Sequence, residues 1–84
     1  MNIFVGNLNF QTTEKQLEDL FTPFGSIQSL KIIRGMQSGH SKGFAFIKMP
    51  VEAEAQGAVY ALNNSSQDYH QITVYEAKAM NTTL

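Results

Sequence analysis

Apolar residues in this 84-residue chain follow two different spacings, and the order of those spacings limits the possible folds more than any other feature. Alternate-residue spacing, typical of a strand with one buried face, occurs in four segments: 2–7, 27–34, 42–48 and 72–75. Helical spacing occurs between the first and second segments and again between the third and fourth. The resulting order, strand, helix, strand, strand, helix, strand, predicts an α+β domain of the ferredoxin-like βαββαβ class.

Both predicted helices carry local signals that favour them. The first begins at Thr13-Glu14-Lys15-Gln16, which has the form of a capping box, and is closed by Pro23 and Gly25. Its predicted buried stripe is Leu17, Leu20, Phe21 and Phe24. The second helix, 51–62, contains small alanines that allow close packing on a sheet. Its predicted inner stripe is Val51, Ala55, Ala58, Val59 and Leu62.

Right-handed crossovers place the first and third strands in the middle of a four-stranded antiparallel sheet, with both helices on one face. The other face is then open to solvent. The side chains expected on that open face are Phe4, Phe44, Phe46, Ile33, Tyr75, Thr73, Lys31, Lys42 and Lys48.

Two short segments put aromatic rings on the central strands. They are Ile3-Phe4-Val5-Gly6-Asn7-Leu8 and Lys42-Gly43-Phe44-Ala45-Phe46-Ile47-Lys48-Met49. A domain this small needs most of its apolar side chains for its core, so phenylalanines on a solvent face require a reason. Stacking of nucleobases on these rings would be such a reason, because each stacked base contributes roughly 1 to 3 kcal/mol to binding. Gly6 and Gly43 favour close approach of a ligand, or only reflect strand geometry.

The net charge of −1 argues against a nucleic-acid ligand, but the distribution of charges argues for one. Five of the seven acidic residues fall in the predicted helices, so the helical side is expected to be acidic. Five of the six basic residues fall in strands or at their ends: Lys31, Arg34, Lys42, Lys48 and Lys78. The open face of the sheet is therefore expected to be mildly positive.

Several function classes are disfavoured by composition. The chain has no cysteine, which excludes disulfides, thiolate metal sites and a cysteine nucleophile. His40 and His70 fall in separate predicted loops, without an acid–base constellation, and are expected to be solvated. We therefore expect no enzyme, metal, cofactor, small-molecule substrate or membrane partner, and a cytoplasmic location.

The two aromatic segments resemble the two signatures of the RNA recognition motif family, and the resemblance runs nearly end to end. Cold-shock domains carry a similar Lys-Gly-Phe segment, but in the opposite order relative to the other aromatic strand. The resemblance implies a single RNA recognition motif at 1–80 and a short C-terminal tail at 81–84. The chain is similar to stand-alone members found in bacteria, and a module cut from a longer protein also fits.

The resemblance implies that Phe4 and Phe46 each stack one base, that Phe44 packs against ribose, and that Lys42 reaches a phosphate. Lys48 is either a second phosphate contact or a solvated edge charge. The remaining residues of the implied RNA-binding set are Asn7, Lys31, Tyr75 and Lys78. The implied partner is single-stranded RNA, with single-stranded DNA as a substitute in vitro, bound by a monomer.

The chain departs from the family pattern at a few positions. Met49 replaces an aromatic residue, but it is predicted to face the core. Asn64 stands where glycine is common, and Tyr69 and His70 stand where Gly-Arg is common. Without that arginine one phosphate contact is lost, so weak binding, about micromolar, is expected. The alternative is a protein-interaction module of the same fold that docks a peptide. Its affinity would be nearly independent of salt, whereas RNA binding would weaken as salt rises.

Overall fold

The secondary structure follows the order predicted from the sequence, with one additional hairpin. A computed structural model describes residues 1–34, 41–67 and 69–77. Its elements are β1 (Asn2–Gly6), α1 (Glu14–Phe21), a 3₁₀ turn (Thr22–Phe24), β2 (Ser29–Arg34), β3 (Ser41–Lys48), α2 (Glu52–Leu62), β4 (Ser66–Gln67), β5 (His70–Gln71) and β6 (Thr73–Glu76).

The main sheet has four antiparallel strands in the order β2-β3-β1-β6. The predicted central position of β1 and β3 is therefore confirmed. Phe4 of β1 lies opposite Phe46 of β3 on one side and opposite Tyr75 of β6 on the other. Because cross-strand partners point to the same face of a sheet, this register brings the aromatic residues of three strands together.

The core lies between one face of this sheet and the two helices. Ile3 and Val5 of β1 are fully buried, whereas Phe4 between them is only partly buried, as expected from strand alternation. Leu17 and Phe21 of α1 are buried against the same face. Met49 has no exposed surface, so its predicted inward orientation is confirmed.

The capping box predicted for the first helix is present. The backbone N–H of Gln16 donates to Oγ1 of Thr13 at 3.2 Å, and the backbone N–H of Thr13 donates to Oε1 of Gln16 at 2.8 Å. These bonds satisfy donors that the first turn of a helix leaves without a partner. The helix ends at Phe21, and Phe24 lies in the 3₁₀ turn, packed against the core and partly buried.

The prediction was wrong for Val51 and for the segment before the last strand. Val51 precedes α2 with an extended backbone (φ −96°, ψ 111°), so its side chain does not join the helical stripe and remains 47% exposed. The hairpin β4–β5 lies in the segment that the sequence pattern assigned to a turn. Asn64 and Tyr69, which replace common glycines, have positive φ angles of 66° and 68°. Such angles favour glycine, and asparagine adopts them more readily than tyrosine.

Some predicted features lie outside the described residues. They are most of the loop 35–41 with His40, the side chains of Arg34, Ser41 and Lys42, residue Lys78, and the tail 81–84. Within the described part of the chain, neither helix is long and apolar enough to cross a membrane.

Candidate nucleic-acid interface

Four aromatic side chains form a contiguous group on the open face of the sheet, the face opposite the helices. We call Phe4, Phe44, Phe46 and Tyr75 the aromatic cluster. Phe4 is at its centre, with ring centroids 5.7 Å from Phe44, 5.7 Å from Phe46 and 4.8 Å from Tyr75. The ring planes of Phe4 and Tyr75 differ by 27°, whereas those of Phe4 and Phe46 differ by 65°. Rings at these distances attract one another, by about 0.5 to 1.5 kcal/mol per pair.

The cluster remains accessible to a ligand although its rings touch. The three phenylalanines are partly buried and Tyr75 is 49% exposed, while their strand neighbours Val5, Ala45 and Val74 have no exposed surface. Tyr75 was predicted to lie on the open face, and in the structure it stacks directly on Phe4. The cluster therefore extends across β3, β1 and β6.

Gly6 allows the ring of Phe4 to lie across the sheet. A Cβ atom on Gly6 would be 2.7 Å from Cε2 of Phe4, which is closer than real Cβ atoms approach other atoms. Gly43 has a φ of +86°, and a Cβ atom there would be 3.2 Å from Cε1 of Phe10. In both places the group that approaches the glycine is an aromatic ring of the chain itself.

Lysines lie on the same face beside the cluster. Lys31 is the cross-strand partner of Phe46, and Lys48 lies two residues after Phe46 along β3. Both side chains are exposed, and neither forms a salt bridge with a residue that the structure describes. Lys42 begins the second aromatic segment in β3, but its side chain lies outside the described part of the chain, as does Lys78.

The helical side has the opposite charge, as predicted. Its acidic residues are Glu14, Glu18 and Asp19 on α1 and Glu52 and Glu54 on α2. The lysine of α1, Lys15, is paired with Asp19, with 3.2 Å between Nζ and Oδ1. The hydrogen bond from Lys15 to Asp19 raises the pKa of Lys15. Because its charge is compensated by that of Asp19, this lysine leaves the helical side acidic.

Asn7, which the family resemblance places in the RNA-binding set, links the end of β1 to the hairpin. Its Nδ2 donates to the backbone oxygen of Gln71 at 2.8 Å, and its own backbone oxygen lies 3.1 Å from Nδ1 of His70. His70 is partly buried, so the expectation that it is simply solvated was wrong. A contact of Asn7 with RNA remains a prediction.

One aromatic residue at the edge of this surface was missed by the sequence reasoning. Phe10 lies in the loop between β1 and α1 and is 68% exposed. It borders a cleft of about 440 Å³ at the end of the sheet, which we call the end cleft. Residues that line it include Phe4, Phe10, Gly43, Phe44, His70 and Thr73. The available signal was that Phe10 is a phenylalanine within the polar segment Asn9-Phe10-Gln11-Thr12, where a helical or strand core is not expected.

The described residues contain no group of three or more His, Asp or Glu side chains placed to hold a metal ion. What they provide is a set of flat apolar rings with cationic side chains nearby. The fold and this surface together define a ferredoxin-like domain with an open aromatic sheet, which is suited to binding unstacked planar groups on a polyanionic chain.

The comparison with known families agrees with this class. The model of the RNA recognition motif matches residues 3–73, so the chain belongs to the RNA recognition motif family. The family and the fold predicted from the sequence are therefore confirmed.

Individual proteins resemble the chain in sequence, and two of them, with solved structures, also resemble it in fold. The chain is 38% identical over 77 residues to a 29 kDa chloroplastic ribonucleoprotein of Arabidopsis thaliana. The matched region covers 92% of this chain and 22% of that relative. The crystal structure of RNA Binding Protein PG1 is 35% identical, with a TM-score of 0.90 over 93% of this chain and 94% of that one. A solved Sxl-lethal protein/RNA complex is also 35% identical, with a TM-score of 0.86 over 90% and 47% of the two chains. This chain thus spans about a fifth of the length of the Arabidopsis relative.

Proposed function

We propose that this protein binds short single-stranded RNA on the open face of its sheet. The observation that carries the proposal is the aromatic cluster, whose four rings stand on a solvent-accessible face within 4.8 to 6.2 Å of a neighbouring ring. Bases that are not paired offer flat surfaces to such rings. Phe4 and Phe46 each stack one base, and Phe44 packs against the ribose between them.

Membership of the RNA recognition motif family supports this proposal. One similar solved structure is a protein/RNA complex, and one similar sequence is a ribonucleoprotein. The alternative, docking of a peptide on the same face, has no comparable support.

Lysines supply the electrostatic part of binding. Lys31 and Lys48 are exposed beside the cluster, and Lys42 and Lys78 are the further candidates for phosphate contact. We expect only about 2 to 4 phosphate contacts, and hence a shallow dependence of affinity on salt. With an overall charge of −1, the expected affinity is about micromolar.

The remaining parts of the proposal concern the molecule as a whole. The protein acts as a binder rather than an enzyme, because the groups that its open face presents to a ligand are rings and lysines, which suit stacking and phosphate contact. It binds RNA as a monomer in the cytoplasm and also accepts single-stranded DNA in vitro.

The test is a fluorescence-anisotropy titration of a labelled random-sequence RNA of about ten nucleotides, at low and moderate salt. The wild-type protein is compared with Phe4→Ala/Phe46→Ala and with Tyr60→Ala, a matched control because Tyr60 is 91% exposed on α2. Salt-sensitive binding that only the double variant loses would support the proposal. Absence of wild-type binding at low salt, or equal binding by the double variant, would overturn it.

A further inference from the structure

His70 lies at the end of the open face where the aromatic cluster stops. It borders the end cleft together with Phe4 and Phe44, the rings proposed to hold a base and a ribose. The last strand pair before it is Gly6 of β1 with Thr73 of β6. The sugar–phosphate chain of a nucleotide stacked on Phe4 would therefore run next to the imidazole of His70.

The imidazole is held in place by the end of β1. Its Nδ1 lies 3.1 Å from the backbone oxygen of Asn7. Because a carbonyl oxygen can only accept, this contact assigns a hydrogen to Nδ1. Asn7 is itself tied to the hairpin, since its Nδ2 donates to the backbone oxygen of Gln71 at 2.8 Å. Nε2 is then the ring nitrogen left for a ligand, and no described residue bonds to it.

This bonding pattern suits both charge states of the ring. In neutral imidazole with the hydrogen on Nδ1, Nε2 is an acceptor, whereas in imidazolium both nitrogens donate. Uptake of a proton at Nε2 therefore leaves the bond to Asn7 in place and turns the other nitrogen into a cationic donor. Histidine is the side chain whose charge ordinarily changes between about pH 5 and 8. At His70 that change requires no rearrangement of the loop.

The described surroundings of His70 carry no charge that competes with a ligand. Besides His70, the residues that line the end cleft come from β1 and the loop after it, from β3 and from β6, and none is ionisable: Phe4, Gly6, Asn7, Leu8, Phe10, Gly43, Phe44 and Thr73. On the hairpin itself, Tyr69 is 97% exposed, and Asp68 lies outside the described residues. A phosphate of the ligand is therefore the anion that this lining leaves for a charged ring.

Other charged groups of the open face lie farther along the sheet or keep a constant charge. Lys48 pairs with Asn2 at the opposite end, where the α-amino group of Met1 donates to the oxygen of Met49 at 2.7 Å. Lys42 begins β3 near the end cleft, with its side chain outside the described part of the chain. Because lysines stay charged between about pH 6 and 8, their phosphate contacts are the same throughout that range.

We propose that His70 binds a phosphate of the RNA through Nε2 as the charged imidazolium, so that RNA binding takes up a proton. The inference rests on the proposed function, because it needs RNA on the adjacent rings. A phosphate beside the ring favours the charged form, and by linkage the charged form binds RNA more tightly. Affinity therefore rises as the pH falls from about 8 to about 6. One more phosphate contact on a single strand steepens the dependence of log affinity on log salt by about 0.7, which is about fivefold at about 0.1 M salt.

The experiment measures RNA affinity at about pH 6 and about pH 8 for four proteins: wild type, His70→Gln, His70→Arg and His40→Gln. The last variant is the matched control, since His40 is the other histidine of the chain. The probe is a random-sequence RNA of about ten nucleotides with hydroxyl groups at both ends, because a terminal phosphate would itself titrate near pH 6. Calorimetric titration in two buffers with different heats of ionisation measures the affinity and counts the protons taken up.

Wild type and His40→Gln should bind about fivefold more tightly at the lower pH, with a salt slope steeper by about 0.7 and with uptake of protons. His70→Gln should bind at both pH values like wild type at the higher pH, because its side chain stays neutral. His70→Arg should bind at both like wild type at the lower pH, because arginine is always charged.

The outcomes separate a failure of this inference from a failure of the proposed function. If wild type binds equally at both pH values, or if either His70 variant keeps the pH dependence, the inference is overturned and the sheet function stands. A pH dependence without a change of salt slope would assign His70 to a base rather than a phosphate and overturns it as well. If wild type binds no RNA at either pH, both proposals fail. Melting temperatures show whether each variant is folded, and if His70→Gln is unstable, the comparison of wild type with His70→Arg decides.

Discussion

Phe21 and Phe46 have the same side chain and lie on opposite faces of one sheet, where they differ in burial and in the residues that they contact. Phe21 comes from α1, has no exposed surface and packs among the aliphatic residues of the core. Phe46 belongs to β3, is partly exposed and touches other rings on the open face. The comparison shows that apolar surface is buried in the core on one face of the sheet and stays partly exposed to solvent on the other.

The largest expected difference between the two faces is in stability. Phe21→Ala should lower the free energy of unfolding by about 3 to 5 kcal/mol, because it removes a fully buried ring and leaves a cavity. Phe46→Ala should lower it less, by about 1 to 3 kcal/mol, because it loses two ring contacts. Urea unfolding followed by circular dichroism measures both, and equal losses would contradict the division into a core face and a ligand face.

Affinity for RNA should depend on the rings of the open face. Phe4→Ala and Phe46→Ala should each weaken binding by about 1 to 3 kcal/mol, the contribution of one stacked base. Phe4→Ala should also be the less stable of the two, since Phe4 contacts three rings and Phe46 only two. Calorimetric titration with single-stranded RNA is the measurement, and Tyr60→Ala, on the helical side, should bind like wild type.

A glycine-to-alanine change should stabilise the protein on the helical side and weaken RNA binding on the open face of the sheet. Gly57 lies in α2 with nothing within 4 Å of a potential Cβ atom, so Gly57→Ala should raise stability by about 1 kcal/mol without changing RNA binding. Gly6→Ala should push the ring of Phe4 out of place and weaken RNA binding by up to about 1 kcal/mol, part of one stacking contribution. A Gly6→Ala variant with wild-type affinity would show that the orientation of Phe4 does not matter.

The smallest expected effects come from single charges. Lys31→Gln and Lys48→Gln should each reduce the slope of log affinity against log salt by about 0.7, the value for one phosphate contact on a single strand. Lys15→Gln should leave the slope unchanged, because Lys15 is on the helical side and paired with Asp19. Titrations at several salt concentrations test this, and an unchanged slope for Lys48→Gln would identify it as a solvated edge charge.

The fold was predictable because its signals are local. The capping box at Thr13 and Gln16 and the alternation of Ile3, Phe4 and Val5 depend only on neighbouring residues, and each is present in the structure. Val51 was mispredicted because its apolar side chain fits the helical spacing although its backbone is still extended. Phe10 was missed because residues in a loop have no periodicity from which to infer a position.

From the sequence alone, the order of the elements, the core face and the positions of Phe4, Phe44 and Phe46 on the open face could be determined, because spacing along the chain decides which face a side chain occupies. Only the tertiary structure decided that Tyr75 stacks on Phe4, that Phe10 borders a cleft with Phe44, and that Asn7 is bonded to the hairpin. These contacts join residues far apart in the chain, and they depend on strand register and on the path of a loop, which local spacing does not specify.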